Sequence, residues 1–394
     1  VVKKVLVLIL ILLTLTGCWN RRELDELAIT VALGIDKDGE DYLVSVQIIN
    51  PSEIASTEKT NRTPVTTYAQ SAPTIFEALR KLTTVSPRKL YLSHLRAVII
   101  SEELAREGIK NILDFFNRDH EMRTSFFLIV AKDQTANDVV NILTPMEQIP
   151  ANKLFSSIKT SQDAFAATTH VTLDQFIKEY QSSGKQSVIT GLKIVGDKQI
   201  GKTQANVESV GASAVLKYEG LSIFKEDKLV GWLNEEESKG YNYIIGNVKN
   251  TVGHINCPND SKGRITIELV NIETSIDGKV EKGKPKISID IWSEGNIGEV
   301  ACVYDFKESG ALQLIETEVE KKVKLLIEAA ITKAQKDQTD IFGFGETIRR
   351  ENPSYWKQIK KEWEEEYFED LEIDTKISFK IRRTGTIDNS FFFK

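Results

Sequence analysis

"LAITVALGIDKDGEDYLVSVQIIN", residues 27–50, holds two apolar, β-branched runs around "KDGE" at 37–40. Asp38-Gly39 is the strongest short hairpin signal, because a tight primed turn needs positive φ and glycine adopts it freely. The acidic spacing of "DKDGED" invites a calcium loop, yet an EF-hand places its glycine sixth and a glutamate twelfth. Here Gly39 is fourth from Asp36. A hairpin is expected, and it opens the chain's globular part with antiparallel β-structure.

Toward the C-terminus, residues 51–73 are rich in Ser, Thr and Pro and read as a surface loop. Ile75, Phe76, Leu79 and Leu82 then share one helical face. "LRAVIIS" (95–101) and "SFFLIVA" (125–131) are short continuous apolar runs, expected as buried strands, with a helix carrying Ile109, Ile112, Leu113 and Phe116 between them. Thr135 with Asp138, and Thr172 with Gln175, have the capping-box spacing. The second of these helices runs through Phe176, Ile177 and Tyr180 to Gly184, its expected C-cap. "SVITGLKIV" (187–195) closes the region as a strand.

"ASAVLKYEGLSIFKEDKLVGWLN" (212–234) reads as a meander turning at "KEDK", and Asn234 as the N-cap of a helix with three glutamates in its first turn. "RITIELVNIETSIDGK" and "KISIDIW" alternate apolar and polar residues, as strands with one wet face do. Leu312, Ile315, Val319, Val323, Leu326, Ala330 and Ala334 step by three or four along an amphipathic helix of about seven turns. "DIFGFGE" (340–346) breaks it, with Phe342 and Phe344 expected to pack inward. Asn352-Pro353 opens a further helix with Trp356, Ile359, Trp363 and Tyr367 as its core stripe. The charge run "KKEWEEEYFEDLE" is expected to be that helix's solvated face. "LEIDTKISFKIRR" (371–383) alternates as a final strand.

The opposite end is of another kind. "VVKKVLVLILILLTLTGC" pairs Lys3 and Lys4 with an apolar run from Val5 to Leu13, too short for the about 20 residues a membrane span needs. A basic start, a short apolar core and small residues before Cys18 are expected of an export signal, and L-x-G-C at 15–18 resembles the bacterial lipobox. Cys18 is then the lipid attachment site. Loss of residues 1–17 removes two lysines and leaves 49 basic against 57 acidic residues, a charge of −8. That balance argues against a nucleic-acid partner, which needs a basic face.

Motifs for chemistry are sparse. Cys257 and Cys302 form a disulfide or stand as two buried thiols, and both choices stay open. His94, His120, His170 and His254 have no His or Cys partner at ligand spacing. "GFGE" lacks the third glycine of a dinucleotide loop, since position 348 is Ile, and it follows a helix. "GDKQIGKT" (196–203) fits G-x-x-x-x-G-K-[ST] at every specified position. However, "QANVESVGASA" after it has no helical stripe, and no apolar run ending in Asp offers a Mg²⁺ ligand. No nucleotide, cofactor, metal or catalytic residue is expected, and the chain is not expected to be an enzyme.

Three blocks in order, "GCWNRRELDELAITVALGID" with "VSVQIINP", "GLSIFKEDKLVGWLN", and "FGFGETIRRENPSYWKQIKKEWEEEYFEDLEIDTKISFKIRRTG", resemble the C-subunit lipoproteins of spore germinant receptors, the Ger(x)C family. The resemblance implies a multidomain α+β protein of three mixed α/β domains, each a sheet packed by helices. The corresponding division is a signal peptide at 1–17, an N-terminal α+β domain at 18–190, a β-rich middle domain at 191–250 and a C-terminal α+β domain at 251–394. It further implies a non-catalytic, lipid-anchored subunit acting in nutrient sensing with membrane-embedded A and B subunits, on the outer face of the spore inner membrane. Cys18 matches the family's acylated position, and Trp19, Arg22 and Glu23 match the hallmark that follows it. The competing expectation is a solute-binding lipoprotein of a transporter.

Overall fold

The computed structural model describes Lys3 and residues 26–55, 62–119, 121–258 and 260–385; Cys18, Trp19, Arg22, Glu23 and His120 lie outside the described residues. The hairpin at 27–50 is present. β1 (Leu27–Asp38) and β2 (Asp41–Ile49) pair antiparallel down to Asp38↔Asp41, and Gly39 has φ +61°. β3 (Val65–Ala72) pairs antiparallel with β2. A helix, α1 (Ile75–Lys81), leads to β4 (Lys89–Tyr91) and β5 (Ala97–Ser101), both parallel to β1.

Parallel neighbours need crossovers, and helices supply them. α2 (Glu102–Glu107) and α3 (Lys110–Arg118) lead from β5 to β6 (Phe127–Ala131). α4 (Ala136–Val140), α5 (Pro150–Phe165) and α6 (Leu173–Tyr180) lead from β6 to β7 (Val188–Gly196). β5 and β6 are buried along their whole length because both faces of the sheet are covered. Val98, Ile100, Leu128 and Val130 meet Leu79, Ile112, Phe116 and Phe176 on one face. Ala97, Ile99 and Ile129 meet Val139, Val140 and Leu154 on the other. The meander at 212–234 forms β8 (Ala214–Lys225) and β9 (Lys228–Leu233), and β8 pairs antiparallel with β7. The first sheet thus has nine strands, in the order β3-β2-β1-β5-β6-β7-β8-β9, with β4 beside β1.

After β9, Asn234 caps α7 (Glu235–Ile244) in a full capping box with Glu237. The second sheet follows in the order β10-β11-β12-β13. β10 (Thr251–Cys257), β11 (Asp260–Glu281) and β12 (Lys284–Ala301) are antiparallel. α8 (Ala311–Lys336), α9 (Phe344–Glu351) and α10 (Pro353–Ile359) form the crossover to β13 (Glu372–Arg383), which is parallel to β12. The α8 stripe anticipated from its spacing is buried at Ile315, Val319, Val323, Leu326, Ala330 and Ala334, against Ile267, Leu269, Ile287 and Ile289. Cys257 and Cys302 are joined in a disulfide, with Cα atoms 6.6 Å apart. The bond ties the end of β10 to the residue after β12, across β11.

Residues 51–73, expected as a surface loop, hold a short helix at Pro51–Ala55 and the strand β3 paired along β2, because Val, Thr and Tyr suit a pleated strand as well as a loop. Two further local expectations need correction. α6 ends at Tyr180 with Gln181 as its C-cap, so Gly184 lies beyond the helix. The stripe Trp356, Ile359, Trp363, Tyr367 does not run along one helix: α10 stops at Ile359, and a single wide π-type turn follows at Trp363–Tyr367. Both departures serve the same junction, described below.

The α8 assignment has a direct test. Ile327 is fully buried and Leu325, two residues away, is 60% exposed. Ile327→Ala should cost about 2–5 kcal/mol in denaturant unfolding. Leu325→Ala should stay within about 0.5 kcal/mol of the parent.

Candidate functional site

"GDKQIGKT" is a turn at the end of β7. Asp197 caps a single helical turn, Lys198–Gly201, by accepting from the backbone N–H groups of Gln199 (2.8 Å) and Ile200 (3.1 Å). Two of the loop amides that a phosphate would use are therefore taken by a carboxylate of the chain itself, and those of Gly201 and Thr203 by backbone carbonyls. Lys202 is committed as well, 2.6 Å from Asp138, with Lys198 at 3.4 Å from the same group. Burial pushes the Asp138 carboxyl up, but the two ammonium groups together hold it below the usual carboxylate range.

The other glycine-rich stretch, "DIFGFGE", surrounds a buried charge. Asp340 is fully buried. Its Oδ1 accepts from the backbone N–H groups of Phe342 (3.2 Å), Gly343 (2.9 Å) and Phe344 (3.2 Å). Its Oδ2 accepts from Gly345 N (2.7 Å) and from Trp363 Nε1 (3.0 Å). Consecutive amides curled around one carboxylate make a nest of the kind that binds anions. The rings of Phe342 and Phe344 stack 5.0 Å apart and pack into the core, as their spacing suggested. The wide turn at Trp363–Tyr367 ends the α10 segment where the Trp363 indole reaches Asp340.

A loop of the first sheet unit lies on this nest. Gln186 N donates to Asp340 O (2.8 Å), Glu346 N donates to Gly184 O (3.1 Å), and Ser182 Oγ donates to Glu346 Oε1 (2.7 Å). The fit requires Gly184: a Cβ there would stand 2.7 Å from both Gly345 C and Glu346 N. Nearby, Asn242 Nδ2 of α7 donates to Ala166 O (2.9 Å) and Thr168 O (3.2 Å), completing a polar seam between the two units.

Glu364 corrects the view of 360–372 as a solvated face. Gln186 Nε2 donates to its Oε1 (3.2 Å), while Oε2 is buried without a hydrogen-bond partner. Burial, and next the charge of Asp340, push the Glu364 carboxyl up to about 7; Gln186 and Lys225 act in the opposite sense. Burial also pushes Asp340 up, but five N–H donors and no acceptor surround its carboxylate, so the proton of the pair belongs on Glu364. Sequence spacing carried no sign of this pair. The one available signal was an acid followed by two glycines at alternate positions, a segment able to turn its amides inward.

The arrangement holds a charge and joins two sheets; it presents no nucleophile to a cavity. Among the described residues no group of three or more His, Cys, Asp or Glu is placed to hold a metal ion. None of the described helices is long and apolar enough to cross a membrane.

Known proteins resemble the chain on both sides of this junction. A family described as "Spore germination protein N-terminal domain" matches residues 20–194, and one described as "Spore germination B3/ GerAC like, C-terminal" matches residues 219–385. Gly184 lies in the first match and Asp340 in the second. Spore germination protein KC of Bacillus subtilis (strain 168) is 33% identical over 399 residues, covering 98% of each chain. Putative spore germination protein YfkR of the same organism is 28% identical, covering 96% of each chain. The crystal structure of the GerBC protein superposes with a TM-score of 0.57 at 24% identity, over 89% of this chain and 96% of that one, and shows the same fold.

Asp340→Asn turns an NH₂ group toward N–H donors, and should cost about 2–4 kcal/mol of stability. Hydrogen exchange should quicken at Gly345 and Gln186 before it quickens in β5. Glu364 yields a second prediction. Its folded-state value lies above its unfolded one, so its contribution is full below 4.5 and is lost as pH rises through about 7. Denaturation at pH 5 and at pH 8 should show Glu364→Gln gaining on the parent at pH 8, by up to about 3 kcal/mol.

Proposed function

Because the chain belongs to the Ger(x)C family of spore germination proteins, we propose that it is the lipid-anchored, non-catalytic subunit of a nutrient germinant receptor. The observation that carries this reading is the end-to-end likeness to spore germination protein KC. In this reading residues 1–17 are removed and Cys18 is acylated. Its acyl chains hold the folded part to the outer face of the spore inner membrane, through burial of about 0.8 kcal/mol per CH₂. The partners are the membrane-embedded A and B subunits.

Two features support a docking role over a chemical one. The buried acids of the junction are spent on holding the sheets together, with Asp340 saturated by donors. The closest match to a nucleotide motif has its lysine and its leading amides engaged within the chain. A subunit whose two sheets are locked offers its partners one stable surface. The transporter-associated solute-binding alternative finds no support in the relatives, which are spore germination proteins.

Deleting the gene in its spore-forming host should abolish germination in response to particular nutrients. Undiminished germination with every nutrient, in a strain without paralogues, would contradict the proposal. Anchoring is tested separately. Cys18→Ala should leave the melting temperature of the folded part unchanged while moving the protein from the membrane fraction to the soluble one. Continued sedimentation with membranes would mean that protein contacts do the tethering.

A further inference from the structure

Between α7, β10, β11 and α8 lies a cavity of about 350 Å³, lined by none of the groups that hold Asp340. Its inner wall is apolar, formed by Ile255, Ile267, Leu269, Val319, Val323 and Leu326. Volumes from about 300 Å³ upward, mostly apolar with a few fixed polar groups, are the usual form of a small-molecule site. The polar groups here are unusual.

Lys239 is only 9% exposed, yet among the described residues no carboxylate lies within ion-pair distance of its ammonium. Nζ donates to Val252 O at 3.2 Å and lies 3.6 Å from the centroid of the Phe165 ring. An ammonium has three N–H donors, so one of the three is left without an acceptor among the described residues. Leaving a buried cation without a counter-charge is costly. The acids at the mouth favour its charged form only through space: Glu236 is paired with Lys322 at 2.7 Å, and Glu235 is exposed on the first turn of α7. His254, on β10, is exposed at the same rim. Tyr243 adds a second group. It is 2% exposed, it lines the cavity, and burial alone raises its hydroxyl, with no hydrogen bond contributing.

We propose that this cavity binds a small organic carboxylate with a short aliphatic body. The carboxylate accepts from Lys239 Nζ, with the Tyr243 hydroxyl available as a second donor. The aliphatic part lies against Val319, Val323 and Leu326 of α8. Binding neutralises the buried ammonium and covers the apolar wall at once, so a ligand lacking either half loses one of the two contributions.

Calorimetric titration of the full-length, detergent-solubilised protein with hexanoate, hexan-1-ol and hexylamine tests the assignment. Hexanoate should bind at least about tenfold more tightly than either analogue, a tenfold step being what one charge-assisted contact readily supplies. Lys239→Met keeps the stem's packing and should weaken hexanoate by at least about tenfold. Val323→Trp, which fills the cavity with Lys239 intact, should remove binding altogether. Equal binding of hexanol, tighter binding of hexylamine, or no hexanoate binding would each overturn the proposal. So would hexanoate binding that survives both substitutions. If a variant does not fold, the ranking of the three probes on the parent protein still decides.

Discussion

The carboxylate of Asp340 is fully buried, has no ion-pair partner among the described residues and is held by five N–H donors. An isolated buried charge is too costly to survive folding, but a carboxylate that accepts several backbone amides is stable in its ionised form. Meeting that requirement dictates the local chain path. Phe342 to Gly345 must curl inward, the α10 segment must unwind so that Trp363 can donate, and Gly345 is left against Gly184. The two sheets meet where the demands of one charge are met.

Much of each sheet was legible in the sequence because its cause is local. Asp38-Gly39 encodes its own turn, the apolar runs of β5 and β6 encode burial on both faces, and the three-and-four stepping of α8 encodes its buried stripe. The Asn234–Glu237 and Thr172–Gln175 boxes lie within four residues and act within four residues. What escaped was non-local. The alternation of 212–234 says that it forms strands but not which strand they join, and β8 joins β7. Gly184 resembles a helix cap by position, whereas its need arises from a backbone 161 residues away, at Gly345. Glu364 looks like any glutamate in an acidic run until Gln186 and Asp340 are placed beside it.

The same distinction separates the two glycine-rich motifs. "GDKQIGKT" satisfies a pattern in sequence, but two of its amides and its lysine are taken by Asp197 and Asp138. "DIFGFGE" satisfies no ligand pattern, yet it makes an anion nest, and the anion is its own Asp340. A motif match reports which groups are present. Whether they are available depends on partners that the pattern does not mention.

Locked sheets are consistent with the proposed docking role. The matches on either side of the junction, at 20–194 and 219–385, mean that the nest and the loop resting on it come from separately recognisable segments. The most direct test of the central claim is native-state hydrogen exchange on the full-length protein, comparing β6 of the first sheet with β12 of the second. Coupling through Asp340 predicts that the most protected amides of both strands open with one common free energy. Two well-separated opening energies, one for each sheet, would contradict it.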